Sequence, residues 1–138
     1  MARSSSNSQP QAAPGIWRLL LVEDDDDFVE RLIALLEADG RFQILARARN
    51  GAEAVTLART IGPDVTLMDI EMPIMDGVEA TRQILAHSPS ARVIAISGSN
   101  YSERALEARL AGAYDYVRTD RLEDDLVDTI VTAAATQR

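Results

Sequence analysis

Short, continuous apolar runs recur along this chain, and between them lie stretches whose apolar residues return every three or four positions. The runs fall at 17–22, 42–48, 64–68, 93–96 and 114–118. Each has a strand's length and no helical period. The intervening stretches at 28–38, 52–61, 78–86, 102–111 and 122–134 carry the helical period. Leu32, Leu35 and Leu36 share one face, as do Ala54, Val55, Ala58 and Ile61, and Leu122, Leu126, Ile130 and Ala134 stand four apart. Asp39-Gly40 and Gly62-Pro63 supply stop signals. The alternation predicts an α/β domain of (βα)5 type, a doubly wound five-stranded parallel sheet. Helical crossovers make the strands parallel, and runs such as LLLV and VIAI suit a sheet covered on both faces.

Composition changes this picture little. A chain of 138 residues with 46% apolar content is ample for one domain. Residues 1–15, rich in Ser, Gln, Pro and Ala, read as a disordered tail ahead of a domain over 16–138. Cysteine is absent, which excludes disulfides and thiolate metal sites. No apolar run reaches the roughly 18 residues of a membrane span, so a soluble cytoplasmic protein is expected. The net charge of −8 argues against direct nucleic-acid binding. Every one of the 14 basic residues is Arg.

Open sheets of this kind carry their chemistry beyond the carboxyl ends of the strands. The residues there are Glu23 and Asp24 after the first strand, Asp69 after the third, Ser97 after the fourth and Thr119 after the fifth. Asn50-Gly51, after the second, reads as turn chemistry. If the first and third strands are neighbours, three carboxylates collect on one edge. Such a set suits Mg2+, a hard cation that prefers oxygen ligands. Glu23 and Asp24 open a run of five acids, Glu23–Asp27. Asp26 or Asp27 is expected to cap the first helix, with Asp27 and Glu30 spaced as a capping box and Asp25 solvated. Asp120 and Glu123 are spaced as a second box. Glu71 faces either the site or water. His87, in a helix end, is not a phosphodonor candidate, and Trp17 is expected to close the core's edge.

The segments LLLVEDD, DVTLMDIEMPIMDGVEATRQI, VIAISGS and AGAYDYVRTD resemble, in order and spacing, the receiver domains of two-component response regulators, over residues 17 to about 135. The type most resembled precedes a helix-turn-helix output domain. The resemblance implies a flavodoxin-like sheet with strand order 2-1-3-4-5. It implies that Asp69 accepts a phosphoryl group from a histidine kinase with Mg2+, and that no turnover enzyme is expected. Glu23, Asp24, Asp69 and the backbone carbonyl of Glu71 would be the metal ligands. Ser97 would be the switch hydroxyl and Tyr116 the switch aromatic. Tyr101, Tyr114 and Tyr116 are expected to cluster about the fourth helix and fifth strand, a face receivers use for partners or dimerisation. The pattern departs from the family at Thr119, where receivers carry a phosphate-contacting Lys. Arg118 points to the opposite face, while Arg121 is near enough in sequence to reach back. Two other readings stay open: a phosphorylation-independent interaction module, and a phosphohydrolase using Glu71 as acid/base, which lacks a cap domain.

Overall fold

The structure, a computed structural model, describes residues 15–72, 74–98 and 102–137. The tail before Gly15, Pro73 with its expected turn, and Tyr101 lie outside them. The elements alternate as expected: β1 (Trp17–Val22), α1 (Asp26–Asp39), β2 (Phe42–Ala48), α2 (Gly51–Ile61), β3 (Val65–Asp69), α3 (Gly77–His87), β4 (Val93–Ser97), α4 (Ser102–Leu110), β5 (Asp115–Arg118) and α5 (Leu122–Gln137). All paired strands are parallel, in the order β2-β1-β3-β4-β5. β1 and β3 are therefore neighbours, and the order reverses beside β1.

The apolar runs explain the layering. Leu19 and Leu21 of β1, Leu67 of β3 and Ile94 and Ile96 of β4 face one way, onto Val29, Leu32 and Leu36 of α1 and Leu122, Leu126 and Ile130 of α5. Leu20, Val22, Met68 and Ala95 face the other way, onto Ala54 of α2, Ala80 and Ile84 of α3 and Ala108 of α4. Burial on both faces explains why these strands carry apolar residues on both sides, as in LLLV and VIAI. Trp17 packs at the margin of the first cluster, as expected.

Between Leu19 and Leu20 the pairing with β2 shifts register, so that Leu19 pairs with Ile44 but Leu20 with Ala46. This bulge changes which side of the sheet β2's side chains face. Phe42 and Ile44 pack toward α1 and α5, whereas Ala46 and Ala48 pack toward α2.

Three local expectations are corrected. The cap of α1 is Asp25, extended at φ −86° and ψ 113°, whose carboxylate accepts from the N–H groups of Asp27 and Phe28. Asp26 is already helical, so neither Asp26 nor Asp27 is free to cap, and the box with Glu30 does not form. The chain enters α5 through a 3-10 turn, Thr119–Arg121, which places Asp120 inside the turn, with its carboxylate on the Arg118 guanidinium rather than in a capping box. Tyr114 and Tyr116 pack on opposite faces of the sheet and form no cluster. Tyr114 precedes β5 and lies under the Arg92 guanidinium, 5.6 Å from it.

Candidate functional site

β1 and β3 run side by side, with Val22 opposite Met68, so both chains leave the sheet at the same edge. Glu23 and Asp24 follow β1 directly and Asp69 ends β3. One carboxylate oxygen from each of the three lies within 4.8 Å of the others. Glu23 is buried, Asp69 half-buried and Asp24 exposed. Burial and the predicted topology thus bring together the three acids read from the strand exits.

Each of the two inner carboxylates is held by backbone two residues further on. The Asp25 N–H donates to Glu23 Oε2 at 3.1 Å, and the Glu71 N–H donates to Asp69 Oδ1 at 2.9 Å. These local bonds fix the side chains before any ligand arrives. Burial, and then the adjacent Asp69 charge, push the Glu23 carboxyl up to about 8. Burial likewise raises Asp69, against the lowering effect of the Glu71 N–H and of a hydrogen bond with Glu23. Carboxylates this close resist simultaneous ionisation, and a divalent cation is the simplest group that relieves them.

The loop after Asp69 folds tightly over the edge. Asp76 caps α3, accepting from the Glu79 N–H at 3.0 Å, and Gly77 follows. A Cβ on Gly77 would stand 2.3 Å from the Asp69 carbonyl oxygen, so only glycine permits this approach. The Gly77 N–H and the Arg104 guanidinium of α4 both donate to the Ile70 carbonyl, at 3.2 and 2.9 Å.

The acids border a cleft of about 200 Å3. It is lined by Glu23, Asp25 and Phe28 from the β1 exit and α1, Asp69 and Glu71 from the β3 exit, Ile96 and Gly98 from the β4 end, and Thr119 after β5. Thr119 therefore does reach the site. Its backbone carbonyl accepts from Arg31 of α1 at 3.1 Å. Glu71 is exposed yet stands at the rim, where its charge also acts on Asp69. Among the described residues, four acids and no cationic side chain line the cleft. Arg121 does not reach back: it pairs forward with Asp124 and Asp125. Arg118 pairs with Asp120. Ser97 ends β4, 1% exposed, between two residues that line the cleft. Alternation along β4 puts it on the face of Ala95, whose partner on β5 is the half-buried Tyr116.

The sequence reading missed Arg47. It crosses from β2 to the acidic loop, donating through Nε to the Glu23 carbonyl at 2.9 Å and through Nη1 to Asp26 at 2.7 Å. Arg49 also reaches Asp26, at 3.1 Å. The five acids thus divide into a buried pair member, its exposed neighbour, a helix cap, an arginine partner and a first-turn residue.

The model of the response regulator receiver domain matches residues 19–131. The chain belongs to this family. The receiver is 36% identical over 115 residues to chemotaxis protein CheY of Listeria monocytogenes, covering 83% of this chain and 97% of that protein. It is 37% identical over 114 residues to the transcriptional regulatory protein LnrK of Bacillus subtilis, covering 82% of this chain and 52% of that one. Among solved structures, a LuxR-family two-component response regulator from Aurantimonas superposes with a TM-score of 0.84 at 32% identity, covering 89% of the receiver and 88% of that chain. Several curated relatives are longer: the receiver spans 27% of a protein-glutamate methylesterase/protein-glutamine glutaminase from Pseudoalteromonas atlantica. Receivers typically hold Mg2+ at an acidic cluster and act with histidine kinases, and the Glu23–Asp24–Asp69 set has the oxygen-only chemistry such an ion prefers. No helix among the described residues is long and apolar enough to cross a membrane.

Proposed function

We propose that this receiver is a phosphorylation-dependent switch in which Asp69 accepts a phosphoryl group from a histidine kinase. The carrying observation is the convergence of three carboxylates within 4.8 Å, one of them buried and pushed up to about 8. Glu23, Asp24 and Asp69 would hold Mg2+, with the Glu71 carbonyl as a further ligand. The ion supplies charge neutralisation at the phosphoryl oxygens.

The chain's own residues do the rest. An Asp69 carboxylate oxygen attacks phosphorus, forming an O–P bond as the P–N bond of a phosphohistidine breaks and its electron pair returns to the imidazole. The Glu71 N–H on Oδ1 leaves the other oxygen to react. Phe28 and Ile96 add apolar side chains to the lining of the cleft. Once the new oxyanion is present, the Ser97 hydroxyl gains an acceptor absent before, and this differential interaction biases the Ser97–Tyr116 face. The surface of α4, β5 and α5 then becomes the output face, for a partner or a second copy. Leu106 and Leu110, exposed on α4, suit that use.

Incubation with acetyl phosphate and Mg2+ tests the proposal. Intact-mass analysis is expected to show one added phosphoryl group, lost in Asp69→Asn and in EDTA. A second reading, a phosphorylation-independent interaction module, draws on Thr119, since the cleft has no cationic side chain among its lining residues. It would be favoured if the wild type gained no phosphoryl group and beryllofluoride with Mg2+ left its spectrum unchanged.

A further inference from the structure

We propose that Arg47 is a positioning residue for the cation site: its guanidinium clasps the β1–α1 loop at both ends and presets the acid pair. The inference rests on the cation-binding reading above. Arg47 Nε donates to the Glu23 carbonyl at 2.9 Å and Nη1 to Asp26 at 2.7 Å. The two contacts bracket Asp24 and Asp25, so the loop that carries the exposed ligand is tied before and after it. Within the bracket the Asp25 N–H donates to Glu23 Oε2, which makes the orientation of the buried carboxylate depend on the same loop geometry.

Two further observations separate this from an ordinary surface ion pair. First, the register shift in β2 is what aims the side chain. Residues 42 and 44 pack toward α1, but after the shift 46 and 48 pack toward α2, which turns Arg47 to the α1 side where the loop lies. An unbroken strand would point it away. Bulges beside functional sites commonly serve to redirect a side chain. Second, the side chain is only 20% exposed, and its remaining nitrogen, Nη2, is buried without a partner among the described residues. A buried unpaired donor is unfavourable, and it persists here because the other two bonds fix the guanidinium plane. Residues that orient metal ligands from behind commonly change metal affinity by about tenfold or more when removed.

Charge alone and loop positioning predict opposite signs. A cation beside a cation site weakens binding by repulsion, so removing it would tighten Mg2+ binding. Loss of the clasp instead disorders the ligands and weakens it. Calorimetric Mg2+ titration of the full chain distinguishes these. Arg47→Met is expected to bind Mg2+ about tenfold more weakly than wild type. Arg47→Lys keeps the charge but lacks the rigid fork that engages two acceptors, and a smaller loss is expected there. Amide exchange at Asp25 in metal-free protein is expected to accelerate in both. Unchanged or tighter binding by Arg47→Met overturns the inference; if that variant does not fold, wild-type affinity in Arg47→Lys does so. Failure of the wild type itself to bind Mg2+ would overturn the functional reading and this inference together, whereas a variant-only failure spares the former.

Discussion

At the scale of single residues, Thr119 and Asp69 define the chemical question. Thr119 lines the cleft, and under the proposed function it stands where a receiver would carry Lys; among the described residues the cleft is lined by four acids without a basic side chain. Under the proposed function, a phosphoryl donor approaching Asp69 would meet net repulsion, and a hydroxyl cannot offset it. Thr119→Lys is expected to raise the rate of phosphorylation by acetyl phosphate about tenfold, equivalent to about 1.4 kcal/mol of barrier. Stopped-flow phosphorylation kinetics of the two proteins would measure this, and an unchanged rate would show that Thr119 is not limiting. The strand exits were legible because a residue's place at the end of an apolar run fixes its edge of the sheet. Arg47 was not legible, because its direction depends on a register shift that no residue in FQILARA announces. Ile74 was equally hidden: it takes φ 70° while 84% exposed, a conformation that β-branched side chains disfavour.

At the scale of elements, helix starts show what a run of like residues conceals. Any of Asp25, Asp26 and Asp27 has the carboxylate to cap α1, and only the backbone turn decides among them. Asp25→Ala should cost about 1 kcal/mol of stability, the usual worth of an N-cap. Asp27→Ala should cost measurably less, because Asp27 contributes only a first-turn charge. Urea denaturation of both variants checks the order. Asn50 is the simpler case. It caps α2 by accepting from the Glu53 N–H at 2.9 Å, while the Glu53 carboxylate accepts from the Arg49 N–H at 2.7 Å; Asn50-Gly51 read as a turn in the sequence, whereas Gly51 already opens the helix. The strands were readable to within a residue from their short apolar runs, the central three being buried on both faces, and α5 was readable from its four-residue spacing. The entry to α5 was not, since a 3-10 turn and a capping box share the same local sequence.

For the whole molecule, the acid cluster links folding to pH. The folded chain holds a proton on Glu23 up to about 8, whereas an unfolded glutamate releases it near 4.5. Between those values the native state binds more protons than the unfolded state, so metal-free stability falls as pH rises through the window. Under the proposed function Mg2+ would bind the deprotonated site in the native state alone, and so should restore stability most at the alkaline end. Urea midpoints at about pH 5 and about pH 8, with and without Mg2+, are expected to show a falling metal-free value and a growing Mg2+ increment. A metal-free midpoint that rises across this range would contradict the assignment. The architecture itself was the most legible feature, because alternating short apolar runs and helical periods leave few ways to fold. The oxygen of Ile70 adds a mechanical consequence. The first N–H of α3 and an arginine of α4 hang on one peptide, and that peptide is next to Asp69. A displacement of either donor therefore pulls on the backbone one residue beyond Asp69, which gives α3 and α4 a common point of contact with the acid's loop.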